Sequence, residues 1–264
     1  NAYLAVKEMT NELDRYPAFR IPIVLVPASI DNNLPGAELA IGTDTALNNA
    51  VWALDRIKES AAASKRCFVA ELMGRRCGYL TLMAGIASGA EYAYLNEENT
   101  TLAEIDQDAH RMHQTFENGR RLFLVVVNEE ADAHYNREFL ANVFEAESGD
   151  LYDVRSSALG HLQQGGTPTP YDRLLATRLV NAALNECADQ FADGRAQAVY
   201  VGDMGNAIQV RPVEHMFDDL DFANRRPFNQ WWRDLRPILA AVSVQAPPRD
   251  LQPVTIIQAE GFGH

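Results

Sequence analysis

The stretch Arg20-Ile-Pro-Ile-Val-Leu-Val-Pro27 decides the fold class of this 264-residue chain. It is short, almost continuously apolar, rich in β-branched residues and bounded by prolines, the pattern of a strand covered on both faces in a parallel sheet. A loop rich in Asp, Asn and Gly follows. Over 43–60 the apolar residues Ala46, Leu47, Ala50, Val51, Leu54 and Ile57 then recur with a helical period, with Asp44 and Lys58 suited to the two ends of the helix dipole. The pair predicts a strand and its crossover helix. Outward from there the unit repeats: a strand at 66–72, a glycine-flanked turn, a small-residue helix at 79–88 and a strand at 92–95. Thr101-Leu-Ala-Glu104 is a capping box, opening a helix with the stripe Leu102, Ile105, Ala109, Met112 and Phe116 and Gly119 placed to end it. A strand at 121–127, a helix at 138–146, a strand at 154–159 and a long helix at 171–191 complete the series. Such alternation predicts an α/β fold, doubly wound in Rossmann-like α/β/α layers. The last quarter differs, with strands at 198–201 and 208–211, a helix at 228–242 interrupted by Pro237, and an unpatterned tail at 245–264.

Composition narrows the function. The 23 Lys and Arg residues face 36 Asp and Glu, a formal charge of −13, so a surface that collects nucleic acid or anionic lipid is not expected and an anionic ligand needs a local basic cluster. No apolar run approaches the roughly 18 residues of a membrane span, and the first dozen residues lack the layout of a signal peptide. Cys67, Cys77 and Cys187 show no Cys-x-x-Cys spacing and are too few for a disulfide framework, which suits free thiols in the cytoplasm. The chain opens on a helix already under way, without an initiating methionine, and is expected to be a piece of something longer.

In a doubly wound fold, ligands sit beyond the carboxyl ends of the strands. The loops there read Ser29-Ile-Asp-Asn-Asn-Leu-Pro-Gly36, Met73-Gly-Arg-Arg-Cys-Gly78, Asn128-Glu-Glu130 and Gly160-His-Leu-Gln-Gln-Gly-Gly-Thr-Pro-Thr-Pro-Tyr-Asp-Arg173. Asp31, just past an apolar strand, has the placement of a proton acceptor for a hydroxyl nucleophile, although Asp-Asn-Asn is equally ordinary turn composition. Met73-Gly74-Arg75 joins a backbone open to close approach with a guanidinium at a helix start, an anion-binding combination; a surface arginine after a turn is the plainer alternative. Arg66 and Arg155 begin strands, where solvated charges are common. His161 precedes the tight turn Gly165-Gly166, from which it would donate to a phosphate or a sugar hydroxyl, or simply lie exposed. Asp106, His110 and His113 have metal-ligand spacing but occupy the polar face of an amphipathic helix, so no metal site is assigned. Gly202-Asp-Met-Gly-Asn206 matches neither a dinucleotide fingerprint nor a P-loop. Of the adjacent Trp231 and Trp232, one must point away from the core.

Taken together, Ser29-Ile-Asp-Asn-Asn33, Ile41-Gly-Thr-Asp-Thr-Ala-Leu47, Met73-Gly-Arg-Arg-Cys-Gly78 and the loop 160–173 resemble the 6-phosphofructokinase family over about residues 15–242. The resemblance implies a phosphofructokinase-like fold, incomplete at the N-terminus because the glycine-rich nucleotide loops lie upstream of the strand at Arg20. It divides the chain into the end of a nucleotide-side subdomain (1–42), a sugar-phosphate-binding subdomain (43–165), a return to the nucleotide side (166–224), a closing helix (225–244) and a tail (245–264). The implied activity is transfer of the ATP γ-phosphoryl group, with Mg2+, to the 1-hydroxyl of fructose 6-phosphate in glycolysis, by an allosteric homo-oligomer of tetramer type. By that resemblance Asp31 is the catalytic base with Ser29 beside it; Met73, Gly74 and Arg75 form the sugar-phosphate loop; Glu129 holds sugar hydroxyls; and Arg155, His161 and Gln164 bind substrate, the first two gripping the 6-phosphate. Arg66 is implied to reach a neighbouring subunit's site.

The chain also departs from that pattern. Asn33 replaces an aspartate associated with magnesium, and Gln164 replaces an arginine. With Pro35-Gly36, these resemble the C-terminal half of duplicated phosphofructokinases, in which the sugar site takes fructose 2,6-bisphosphate as an effector; Asp31 and Arg75 resemble the catalytic half. The alternative reading is therefore a non-catalytic regulatory domain.

Overall fold

Segments that read as unbroken apolar runs do so because helices cover both of their faces. The computed structural model describes residues 2–60, 64–205 and 207–243; the tail expected at 245–264 lies outside them. Helix α1 (Ala2–Asn11) leads to β1 (Ile23–Leu25) and α2 (Thr43–Ser60). Then come β2 (Arg66–Leu72), α3 (Tyr79–Ser88), β3 (Tyr92–Tyr94), α4 (Leu102–Glu117), β4 (Leu122–Asn128), α5 (Arg137–Ala146) and β5 (Asp153–Ala158). After a 3-10 turn at Gly160–Gln163 follow α6 (Pro170–Ala192), β6 (Ala198–Met204), β7 (Ala207–Pro212), α7 (Val213–Asp218), β8 (Leu220–Asp221), β9 (Arg226–Pro227) and α8 (Arg236–Val242). The main sheet is parallel throughout, in the order β3-β4-β2-β5. A smaller sheet, β1-β6-β7, pairs β6 parallel to β1 and antiparallel to β7. No helix among the described residues is long and apolar enough to cross a membrane.

Alternation along the strands assigns each side chain to a layer. Cys67 and Val69 of β2 join Phe123, Val125 and Val127 of β4 beneath α4 and α5, against Ile105, Met112, Phe116, Leu140 and Phe144. Ala70 and Leu72 join Leu124 and Val126 on the opposite face, beneath α2, α3 and α8, against Leu54, Leu80, Leu82 and Leu239. The capping box is formed: Glu104 N donates to Thr101 Oγ1, and Thr101 N donates to Glu104 Oε2 at 2.7 Å.

Three expectations change in detail. β1 alternates between two clusters, but Pro22 and Pro27 have no amide hydrogen to donate, the ladder covers only three residues, and only Leu25 is buried. The helix expected over 228–242 is a 3-10 turn at Trp231–Leu235 followed by α8, and Pro237 stands in the first turn of α8, where its missing N–H costs nothing. The antiparallel β7 and the ribbon β8–β9 depart from the alternating series. The tryptophans divide as the helical geometry requires, Trp232 at 2% exposure and Trp231 at 41%. His110 and His113 accompany backbone carbonyls of Asp106 and Glu147, and the described residues hold no metal-binding cluster.

Phe116, wholly buried, stacks on Tyr152 at 4.1 Å between ring centroids and packs against Phe123. Phe116→Ala should cost about 3–5 kcal/mol through lost transfer energy and the cavity left behind. Urea unfolding checks this, and a loss below about 1 kcal/mol would mean that the layer under α4 does not need the ring.

Candidate functional site

The parallel register delivers the loops after β2, β4 and β5 to one edge of the main sheet, and the loop after β1 of the smaller sheet meets them there, with Cys77 Sγ donating to the Asn32 carbonyl. The turn after β2 is the most constrained. Gly74 has φ +141°, and a Cβ there would lie 2.4 Å from the Cys77 carbonyl oxygen, so only glycine fits; Arg75 follows at φ +51°, a region costly for a side-chain-bearing residue. Two long-range contacts hold this shape. Glu129, just past β4, accepts the N–H groups of Gly74 at 3.1 Å and Arg75 at 2.7 Å through Oε1. Gln163, in the turn after β5 and 1% exposed, accepts the N–H of Met73 through Oε1 at 2.8 Å. The same turn's Gly78 N–H is shared between the two carboxylate oxygens of Glu97.

This clamped turn brings Arg75 against Asp31, Nε to Oδ2 at 3.6 Å. The Asp31 loop is itself pinned. Asn32, at φ +53°, donates through Nδ2 to the Glu38 carbonyl and accepts the Ala40 N–H, each at 2.9 Å. Ser29 Oγ accepts the Asp31 N–H and donates to Asn33 Oδ1 at 2.9 Å. Burial holds the Asp31 carboxyl above the ordinary carboxylate range; Arg75 pulls it back, while Glu129 and Glu130 push it further up. A carboxylate so placed takes up a proton more readily than one in water. Cys77, beside it in the chain fold, is no nucleophile, since burial and the charge of Glu97 push its thiol up to about 12.

Not every residue expected at the site is there. Asp31, Ser29, Met73, Gly74, Arg75 and Glu129 converge through these contacts. His161 and Gln164 are exposed in the turn after β5, at the same edge. Arg155 and Arg66 do not join them. Arg155 pairs in register with Phe68, and Arg66 opens β2, so they lie five and seven residues before Met73; at about 3.3 Å per residue, that is roughly 16–23 Å from the turn. Both guanidiniums flank Asp153, Arg66 Nε at 3.8 Å and Arg155 Nη2 at 3.7 Å. Arg155 lies within β5 and His161 in the turn beyond its carboxyl end, so within one chain strand direction sets the two apart.

Some site residues are not evident from the sequence. Gln163, rather than its neighbour Gln164, performs the buried clamping; alternation along a 3-10 turn gives no sign of which faces inward. Arg76 and Arg225 line a cavity of about 260 Å3 together with Asn33, Arg75 and Glu130. The adjacent pair Arg225-Arg226 before a proline is the signal that could have found them. Beneath the turn, both amide atoms of Asn128 and Gln163 Nε2 are buried with no hydrogen-bond partner, polar capacity at the floor of the site.

Removing the charge of Arg75 leaves the desolvation of Asp31 and the fields of Glu129 and Glu130 unopposed. Arg75→Ala should raise the Asp31 pKa, moving its 13C carboxyl titration to higher pH; an unmoved or lowered midpoint would show that the two side chains do not interact.

The model of the phosphofructokinase family matches residues 1–187. The chain is 38% identical over 247 residues to the ATP-dependent 6-phosphofructokinase of Dictyostelium discoideum, covering 92% of this chain and 30% of that one. It is 37% identical over 249 residues to the human muscle-type enzyme, covering 90% and 32%. Among solved structures, phosphofructokinase from Saccharomyces cerevisiae aligns with a TM-score of 0.85 at 32% identity, over 91% of this chain and 35% of that one. A pyrophosphate-dependent phosphofructokinase from Marinobacter aquaeolei shares the fold, with a TM-score of 0.63 at 19% identity. The chain thus spans about a third of the length of the curated relatives it matches. With the family model covering well over half of its residues and the glycine turn, its clamps and the Asp31 loop in place, the chain belongs to the phosphofructokinase family.

Proposed function

We propose that this chain carries the sugar-phosphate side of a 6-phosphofructokinase reaction, the transfer of a phosphoryl group from ATP to the 1-hydroxyl of fructose 6-phosphate. The observation that supports it most is the Asp31–Arg75 pair on the turn clamped by Glu129. In this reading the 1-hydroxyl donates its proton to Asp31 as its oxygen attacks, and burial makes that carboxylate a stronger base than one in water. Arg75 holds the negative charge that develops beside it. Glu129 orients sugar hydroxyls while holding the turn, and His161 and Gln164 meet the 6-phosphate. Arg66, at the amino end of β2, reaches the site of a second copy, and Arg155, set back from His161 along β5, grips the 6-phosphate there with it, so the protein works as a homo-oligomer.

Asn33 presents an amide oxygen already occupied by Ser29 Oγ, and among the described residues no three His, Cys, Asp or Glu side chains converge as a set for magnesium. The roles of these residues are accordingly confined to the sugar, its phosphate and the proton of the attacking hydroxyl. The same Ser29–Asn33 hydrogen bond favours a second reading, in which the site takes a fructose bisphosphate as an effector without catalysis.

Asp31→Ser separates the two readings. In the full-length protein the substitution should lower kcat at least ~10²-fold, the scale of general-base loss, with little change in KM. An enzyme of undiminished velocity that binds fructose 2,6-bisphosphate more tightly would instead establish the regulatory reading, because a carboxylate facing a second phosphate repels it.

A further inference from the structure

The hairpin β8–β9 contributes Arg225 to the arginine-lined cavity and cannot hold that position by itself. Its strands are two residues each, below what a two-stranded ribbon needs for stability. Internally it is rigid: Asp221 Oδ1 accepts the N–H groups of Ala223 and Asn224 at 3.0 and 3.1 Å, and Asp221 Oδ2 accepts Asn224 Nδ2 at 2.7 Å. Arg225 sits at its tip with φ +55° and lines the cavity with Arg75 and Arg76. What fixes the hairpin to the body is chiefly Arg226. Its Nη1 donates to the Arg76 carbonyl at 2.6 Å and to Asn96 Oδ1 at 2.8 Å, and lies 3.3 Å from Glu97 Oε1. The Glu97 side chain is wholly buried and also accepts from Gly78 N and from Gln230 Nε2 at 2.8 Å. Arg76 reciprocates, donating through Nη1 to the Ala223 carbonyl at 2.9 Å. Lys7 lies over the Phe222 ring at 4.0 Å from its centroid and steadies the other side.

We infer that Arg226 is a positioning residue: by pairing with buried Glu97 and capping the Arg76 carbonyl, it locks the hairpin to the 73–78 turn and so places Arg225 and Arg76 around one anion. Arg226 itself touches no ligand. A buried carboxylate fixes its partner's position more tightly than an exposed one, because moving the arginine leaves Glu97 charged and unpaired in a dry site. The inference rests on the sugar-phosphate reading of the cavity. The cavity is lined by Asn33 and Arg75 and not by His161 or Gln164, to which the proposed function gives the 6-phosphate, so the latch acts on a second phosphate and sets selectivity between one-phosphate and two-phosphate sugars.

The test uses Arg226→Lys and, because a lone loss of charge risks misfolding, the double variant Glu97→Gln with Arg226→Gln, which removes both charges together. Calorimetric titration of the full-length variants should show fructose 2,6-bisphosphate binding weakened at least tenfold and fructose 6-phosphate binding weakened less than threefold, with the melting temperature little changed in Arg226→Lys. Equal weakening of both ligands in step with melting temperature, or no weakening of either, would overturn the inference. A wild-type protein that binds neither ligand would overturn the reading of the cavity instead. In that event amide exchange over 220–227 decides the latch: faster exchange in the variants supports it, and unchanged exchange overturns it.

Discussion

A single carboxylate oxygen, Glu129 Oε1, accepting two successive backbone N–H groups is the contact on which the candidate site depends. Gly74 and Arg75 both lie at positive φ, and their amides point away from any strand or helix partner. Left to itself, such a turn would relax toward ordinary backbone, and Arg75 would swing from Asp31. Charge-assisted hydrogen bonds to Glu129, worth roughly 1.5–3 kcal/mol each, offset that strain. Gln163 adds a second tie from another strand. Three loops that are far apart in sequence thereby become one surface.

The parallel register is what makes these ties possible. β2 lies between β4 and β5, so the loops that supply Glu129 and Gln163 flank the glycine turn on both sides. The same register separates the chemistry at the two ends of the sheet. Arg66 at the amino end of β2 and Arg155, third in β5, share Asp153, with five to seven residues of strand between their level and Met73. The net charge of −13 sharpens the role of those arginines, since anions meet local positive clusters rather than a positive surface.

Much of this is legible in the sequence. Strand and helix periodicity locates β2, α3, α4, β4 and α6 within a residue or two, because each buries a full face and the pattern of apolar residues records it. The capping box at Thr101 and the glycine turn at Gly74 are readable for a related reason: few residues satisfy those backbone demands. What escapes is information held in three dimensions. The inward facing of Gln163, the separation of Arg155 from His161 by strand direction, and the latch from Arg226 to Glu97 each join segments whose nearness follows only from the packed fold. The helix expected at 228–242 divides because Pro237 breaks a helix in its interior but is accommodated in a first turn, and the boundary that distinguishes the two is set by the preceding Trp231–Leu235 turn.

The measurement that bears most directly on the central claim is the structure of the full-length protein with fructose 6-phosphate bound. The expected result is the 1-hydroxyl within hydrogen-bond reach of Asp31, roughly 2.6–3.2 Å, and the 6-phosphate between His161 of one copy and the Arg66 and Arg155 pair of another. A sugar phosphate bound away from the 73–75 turn, or held with its phosphate rather than its 1-hydroxyl against Asp31, would contradict it.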